Sequence, residues 1–167
     1  MRVLVFYFRG TVVKARLWTY NACSFKPITY SFAGRALAIS SETLNVAHAA
    51  FEEFSQGLSS GDWDAFIARL SEDFTFWFPA GPFKGRNVGK ARARAFFDSV
   101  SRVFPEGLLL TVERVMNDGN TVLFEVRSHG LMFGHPYENQ AAISFDIRGE
   151  NVCGYREYLG AVFQVGE

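Results

Sequence analysis

Residues 121–163 read TVLFEVRSHGLM (121–132), FGHP (133–136) and YENQAAISFDIRGENVCGYREYLGAVF (137–163). Apolar and polar side chains alternate along three runs, and Gly-containing breaks separate them, which predicts an antiparallel meander. Alternation puts Tyr137, Asn139, Ala141, Ile143 and Phe145 on one face of the middle run. It puts Cys153, Tyr155, Glu157 and Leu159 on one face of the last. Each face is apolar except for one strongly polar residue, Asn139 or Glu157. Such a residue on an inward face is either satisfied inside a core or exposed in a cavity.

Working upstream, Asn117-Asp118-Gly119-Asn120 is a tight-turn signal that joins the meander to a strand over residues 108–116. Leu44, Ala47, Phe51, Phe54 and Leu58 recur every three or four residues, so residues 42–58 are predicted as an amphipathic helix ending at Ser59-Ser60-Gly61. Asp62 can cap a second, short helix with Trp63, Phe66, Ile67 and Leu70 as its buried stripe. A strand over 74–78 stops at Pro79, and the loop AGPFKG leads to a third helix over 87–104, stopped by Pro105. The order helix, helix, strand, helix, four strands predicts an α+β fold: a cone-shaped barrel of curved antiparallel sheet wrapped around three N-terminal helices. The space between the long helix and the concave sheet is the natural pocket.

Length and composition bound the rest. At 167 residues the chain has the size of one domain with a sizeable core, and 49% hydrophobic residues with 18 Phe argue against global disorder. Residues 1–41 hold Arg2, Arg9, Lys14, Arg16, Lys26 and Arg35 and no acid, so the remainder carries 11 basic against 17 acidic residues, a net of −6. An acidic domain is a poor nucleic-acid binder, and no nucleic-acid partner is expected. Cys23 and Cys153 give no disulfide framework and fit a reducing, cytoplasmic compartment. No apolar run approaches the ~18 residues that span a bilayer, so no membrane partner is expected. Ala36-Leu37-Ala38 has the A-x-A form of a cleavage site, yet the apolar run 3–8 is too short for a secretory h-region and far from it. Residues 1–40 are read as a poorly defined basic extension, or as the product of an upstream start codon. Residues 41–163 are read as the α+β domain and 164–167 as a tail.

Gly134-x-x-Tyr137-x-Asn139, Phe145 before a Gly149 turn, and Arg156-Glu157-Tyr158 resemble, in order and spacing, the C-terminal half of the nuclear-transport-factor-2-like superfamily. That group is also called SnoaL-like or ketosteroid-isomerase-like. The resemblance covers residues 42–163 and implies the cone fold. It also implies sheet-to-sheet homodimers, for which the outward Trp77, Ala142 and Tyr158 would supply the partner surface. It says little about activity, because the fold hosts isomerases, dehydratases, epoxide hydrolases and binding proteins.

Each chemistry of the superfamily can be tested on the residues. Steroid isomerisation there uses a carboxylate base with a Tyr and a protonated Asp for the enolate. Alignment through Gly61-Asp62 and Pro79 puts Phe78, Phe54 and Ala141 at those three positions, and none of them transfers a proton. Epoxide hydrolases use an Asp-Arg-Asp set whose last member matches Glu157. The other two fall near Phe124 and Val126 or, with a one-residue shift, at Glu125 and Arg127. SnoaL-type cyclases end this strand with an Asp where Gly160 stands. Dehydratases use a His–Asp pair; His129 and His135 flank a turn, but residues 74–78 offer no Asp.

Three further patterns have plain structural readings. Gly57-Leu58-Ser59-Ser60-Gly61 fits G-x-S-x-G but closes a helix instead of joining strand to helix. Arg86, Lys90 and Arg94 read as a solvated basic stripe on the third helix. His48, His129 and His135 lack metal-ligand spacing, so neither a metal nor another cofactor is expected.

What remains is an aromatic pocket for a small hydrophobic molecule. Phe54, Phe78, Tyr137, Tyr155 and Leu159 are its expected walls, and Asn139 and Glu157 its polar anchors. Glu157 is the candidate catalytic acid/base of a cofactor-independent lyase, isomerase or hydrolase. The alternative is a non-catalytic ligand-binding or dimeric assembly module. Asn139 and Glu157 are expected to converge. Burial by Phe78, Tyr155 and Leu159 should raise the Glu157 pKa against a hydrogen bond from Asn139.

Overall fold

The computed structural model describes residues 5–8, 11–14 and 41–160. The chain forms two compact units, Met1–Arg35 and Ala36–Glu167. In the first, strands β1 (Val5–Phe8) and β2 (Thr11–Lys14) pair antiparallel, with Val5 opposite Lys14 and Phe8 opposite Thr11. The remainder of the basic extension, with Cys23 and the Ala36-Leu37-Ala38 motif, and residues 161–167 lie outside the described residues.

The second unit opens with α1 (Ser41–Ser60) and α2 (Asp64–Arg69), followed by β3 (Leu70–Phe78). A 3₁₀ turn (Gly81–Phe83) and the short β4 (Gly85–Val88) lead into α3 (Lys90–Val103). Four long strands complete it: β5 (Leu108–Asp118), β6 (Thr121–Met132), β7 (His135–Arg148) and β8 (Asn151–Gly160). The Asp62 carboxylate accepts the Asp64 backbone N–H at 3.0 Å, which is the turn chemistry expected before α2.

Strand β4 corrects the expected start of the third helix. Asn87 pairs with Phe76 of β3, and its side-chain amide donates to the Phe83 and Gly85 carbonyls at 2.7 and 3.1 Å. The helix begins only after Gly89, whose φ of 95° suits a residue without Cβ. Arg86 therefore lies on a strand, and the expected three-residue basic stripe dissolves. Lys90 and Arg94 remain on α3 and pair with Glu72 (3.5 Å) and Asp64 (2.6 Å).

The six strands form one curved, unclosed sheet in the order β4-β3-β8-β7-β6-β5. Strands β5 to β8 are the antiparallel meander expected from their alternation. The sheet as a whole is mixed, because β3 lies parallel to β8, with Phe76 opposite Tyr155 and Trp77 opposite Arg156. Adjacent runs are constrained by their turns, whereas β3 meets β8 across more than half the domain, and no local turn fixes that direction. A register shift between Asp146 and Ile147 places Ile147 opposite Val152 and Asp146 opposite Gly154, leaving Cys153 as the extra residue of a bulge. Val152 is consequently buried, and the Cys153 thiol donates to the Asp146 carbonyl at 3.3 Å. This removes Cys153 from the face that simple alternation gave it beside Tyr155.

The helices cover the concave face through aromatic contacts. Phe51 of α1 stacks on Phe124 of β6, ring centres 4.3 Å apart. Phe54 lies 5.3 Å from Phe66, 5.8 Å from Trp63, 5.9 Å from Phe145, 5.8 Å from Tyr155 and 6.0 Å from Phe97. It thus joins all three helices to the sheet. Trp63 donates its indole N–H to the Ser101 hydroxyl at 2.8 Å and lays its ring against Gly57. A Cβ on Gly57 would come within 2.7 Å of Trp63 Cδ2 and Cζ3. Gly57→Ala should therefore destabilise the domain by roughly 1–3 kcal/mol through overpacking, although alanine is the better helix former by about 1 kcal/mol. Urea denaturation checks this; a neutral or stabilising result would mean that Trp63 does not pack on that turn.

Candidate functional site

A cavity of about 300 Å³ lies between the helices and the concave sheet. Phe54 of α1, Phe78 of β3, Tyr137 and Asn139 of β7, and Tyr155, Glu157 and Leu159 of β8 all line it. Burial separates them. Phe54 and Tyr155 are each 2% exposed and form the floor, whereas Leu159 is 38% exposed and stands at the rim. Sequence reading missed the contribution of α3, whose Phe96, Phe97 and Val100, with Phe104 just after its end, line the cavity together with Phe83 of the 3₁₀ turn. The stripe Ala93, Phe96, Phe97, Val100, Phe104 was visible as a helical repeat, but which wall it would meet was not.

Glu157 is half-buried and lines this space among mainly apolar residues. Its cross-strand partner on β7 is Ile143. On the other side the register runs Phe76 with Tyr155 and Trp77 with Arg156, so Phe78 follows beside Glu157. The Tyr155 hydroxyl donates to the Glu157 carboxylate. Burial is the larger influence and pushes the Glu157 carboxyl up to about 7, while the Tyr155 hydrogen bond opposes the rise. Burial also drives the Tyr155 hydroxyl well above its ordinary value, with the Glu157 charge adding to the effect. Tyr155 is therefore a hydrogen-bond donor and not a source of protons at neutral pH.

The expected convergence of Asn139 with Glu157 is not what the fold builds. Glu157 sits opposite Ile143, which leaves Asn139 four residues away, about 13 Å along β7. Asn139 instead serves Tyr137. Burial raises the Tyr137 pKa, the hydrogen bond from Asn139 opposes that rise, the Glu157 charge adds to it, and Ser128 opposes it more weakly. The polar groups of the cavity are thus Glu157 with its donor Tyr155, and Tyr137 with Asn139 and Ser128, with the Glu157 charge also acting on Tyr137.

The three positions aligned with steroid-isomerase groups, Phe54, Phe78 and Ala141, all line the cavity and are all apolar. Strand β6 turns Phe124, Val126 and Ser128 inward, all buried. Glu125 and Arg127 face outward and pair with Arg114 (3.1 Å) and Glu113. Only Glu157 of the epoxide-hydrolase set therefore has a counterpart in the cavity. His48, His129 and His135 are exposed, and none of them lines it. Among the described residues no group of three or more His, Cys, Asp or Glu is placed to hold a metal ion, and no helix is long and apolar enough to cross a membrane.

A carboxyl whose folded pKa is raised binds more protons folded than unfolded. Its stabilising effect is complete below the ordinary value near 4.5 and is lost as pH rises through about 7. The wild-type protein should lose on the order of 3 kcal/mol relative to Glu157→Gln between pH 4 and 8. Urea midpoints measured across that range check the difference; parallel profiles would show that the carboxyl is solvated.

Comparison with known proteins agrees with the fold. No curated protein matches the chain. A family model described as the SnoaL-like domain matches residues 51–155. The crystal structure of an NTF2-like protein from Anabaena variabilis is 52% identical, with a TM-score of 0.72 over 74% of this chain and 92% of that one. An LEH-like epoxide hydrolase from M. tuberculosis shares the fold at 18% identity, with a TM-score of 0.56 over 72% of this chain and 84% of that one. A protein with a ketosteroid isomerase-like fold from Catenulispora acidiphila, solved with trimethylamine, does so at 16% identity, with a TM-score of 0.57 over 65% and 83%. With the matched segment running from the Phe51 turn of α1 to Tyr155 at the cavity floor, this chain belongs to the SnoaL-like, NTF2-like family.

Proposed function

We propose that the domain binds a small, mainly apolar molecule in the cavity and that Glu157 exchanges a proton with it. The observation that carries this reading is the Glu157 carboxyl itself: desolvated, held by Tyr155, and facing an apolar chamber with its pKa near 7. A carboxyl in that state can give or take a proton at neutral pH, which an ordinary surface glutamate does poorly. The reaction class that suits it is a cofactor-independent lyase, isomerase or hydrolase step. Tyr155 orients the carboxyl, and Tyr137 with Asn139 fixes a second polar atom of the ligand. A non-catalytic binding module is the alternative, favoured by the apolar residues at Phe54, Phe78 and Ala141.

The homodimer belongs to the same reading. On the convex face Trp77 stacks on Tyr158 with ring centres 5.4 Å apart, and Ala142 is the cross-strand partner of Tyr158. Tyr158 is 51% exposed, an aromatic patch suited to an isologous contact with a second copy. A cytoplasmic setting is proposed from the two cysteines without a disulfide framework.

Extraction and native mass spectrometry of the purified protein should reveal a co-purifying small molecule. With a turned-over compound in hand, the rate should show an inflection near pH 7 that Glu157→Gln abolishes. Turnover that survives Glu157→Gln unchanged would remove the catalytic role. A 5-ene-3-ketosteroid should not be isomerised, because no proton-transferring group stands at positions 54, 78 and 141. Sedimentation at tens of micromolar, roughly the range where such contacts saturate, should report a dimer that Tyr158→Glu dissociates.

A further inference from the structure

The charge inventory of the cavity is one-sided. Among the described residues that line it, Glu157 is the one carboxyl, and no Arg, Lys or His is present to neutralise it. Around Glu157 stand Tyr155 on its own strand, its cross-strand partner Ile143, Phe78 beside it on β3, and Tyr137, on which its charge acts, while Phe96 and Phe97 line the same cavity. None of these carries a charge at neutral pH. A ligand bearing a carboxylate or phosphate would meet a like charge and no cation.

The surrounding rings supply what is attractive to the opposite charge. The Phe96 ring lies 4.8 Å from Phe78, 5.3 Å from Phe83 and 6.4 Å from Tyr155, centre to centre, so several π-systems border one small space. Ring faces carry negative electrostatic potential and draw cations, the more so when water is excluded. The Tyr155 hydroxyl gives its hydrogen to Oε2 of Glu157. That bond favours the ionised carboxylate and leaves Oε1 for a ligand. Once the carboxyl is ionised it can only accept, and Tyr155 has already committed its hydrogen, so a cation or a donor suits the free oxygen and a neutral acceptor does not.

We propose that the cavity takes a small organic amine in its protonated form, with Glu157 as counter-ion and the rings of Phe78, Phe96 and Tyr155 as the walls of its cage. This deepens the preceding reading and rests on it only in treating the cavity as a ligand site. Binding of the ammonium requires the ionised carboxylate, so a Glu157 that was protonated releases its carboxyl proton to solvent while the amine keeps its own. Affinity therefore rises with pH through the range in which Glu157 ionises, as long as the amine itself stays protonated.

The test is calorimetry on the full chain with two probes of similar size, N,N-dimethylcyclohexylamine and the neutral cyclohexyl methyl ketone. The amine should bind about tenfold more tightly at pH 8 than at pH 6, the ratio expected when a carboxyl with a pKa near 7 must ionise. The heat should vary with the ionisation enthalpy of the buffer, which reports proton release. Glu157→Gln should weaken amine binding by more than tenfold, and a urea midpoint at pH 5 close to that of the wild type shows that the variant is folded. Ketone bound more tightly than amine at every pH, or amine affinity indifferent to Glu157→Gln, would overturn the amine assignment while leaving the cavity as a ligand site. Failure of both probes to bind would overturn both.

Discussion

The packing of Phe54 is the contact on which the rest depends. A curved sheet presents one concave apolar face, and something must cover it or it stays in water. Phe54 meets α2 through Phe66, α3 through Phe97, β7 through Phe145 and β8 through Tyr155. No other single side chain described here links its own helix to both other helices and to two central strands in this way. Removing it would open a void at the junction of every layer, a change that typically costs about 3–5 kcal/mol.

The same packing explains why a cavity survives beside so dense a core. Large rings fill the space nearest α1, where Phe51, Phe54 and Phe145 meet. Farther along the sheet, α3 presents Phe96 and Val100 toward strands whose inward residues are small or polar, such as Ala141, Ser128 and Asn139. The helix cannot descend without driving its rings into β3, because Phe96 already stacks on Phe76 at 4.9 Å. The volume left over holds Glu157, whose desolvation is a by-product of the walls that create the cavity. Tyr155 offsets part of that cost with one hydrogen bond, from a position two residues away on the same face of the strand. Stability and proton affinity are therefore coupled at this residue: the apolar walls that keep the domain folded also bring the carboxyl into the neutral pH range.

The α+β class, the four-strand meander, both first helices and all seven expected lining residues were legible in the chain, because period-2 and period-3.6 patterns are local. Phe54 and Glu157 fall on inward faces by counting alone, and the apolar occupants of positions 54, 78 and 141 already spoke against steroid chemistry. The bulge at Cys153 was not legible, since an extra residue in a strand leaves no mark in composition. Strand β4 was hidden for a similar reason: Gly-Arg-Asn-Val is polar and short, and it becomes a strand only because β3 offers it an edge.

The sequence by itself determined most of the residues that face inward, Cys153 at the bulge excepted, since alternation and side-chain identity are properties of the chain. Only the tertiary structure decided which inward residues meet. The register between β7 and β8 set Glu157 opposite Ile143 and sent Asn139 to Tyr137. The parallel docking of β3 brought Phe78 alongside the carboxyl. Those pairings join residues far apart in the chain, and they are fixed by the fit of whole layers, which no local stretch encodes.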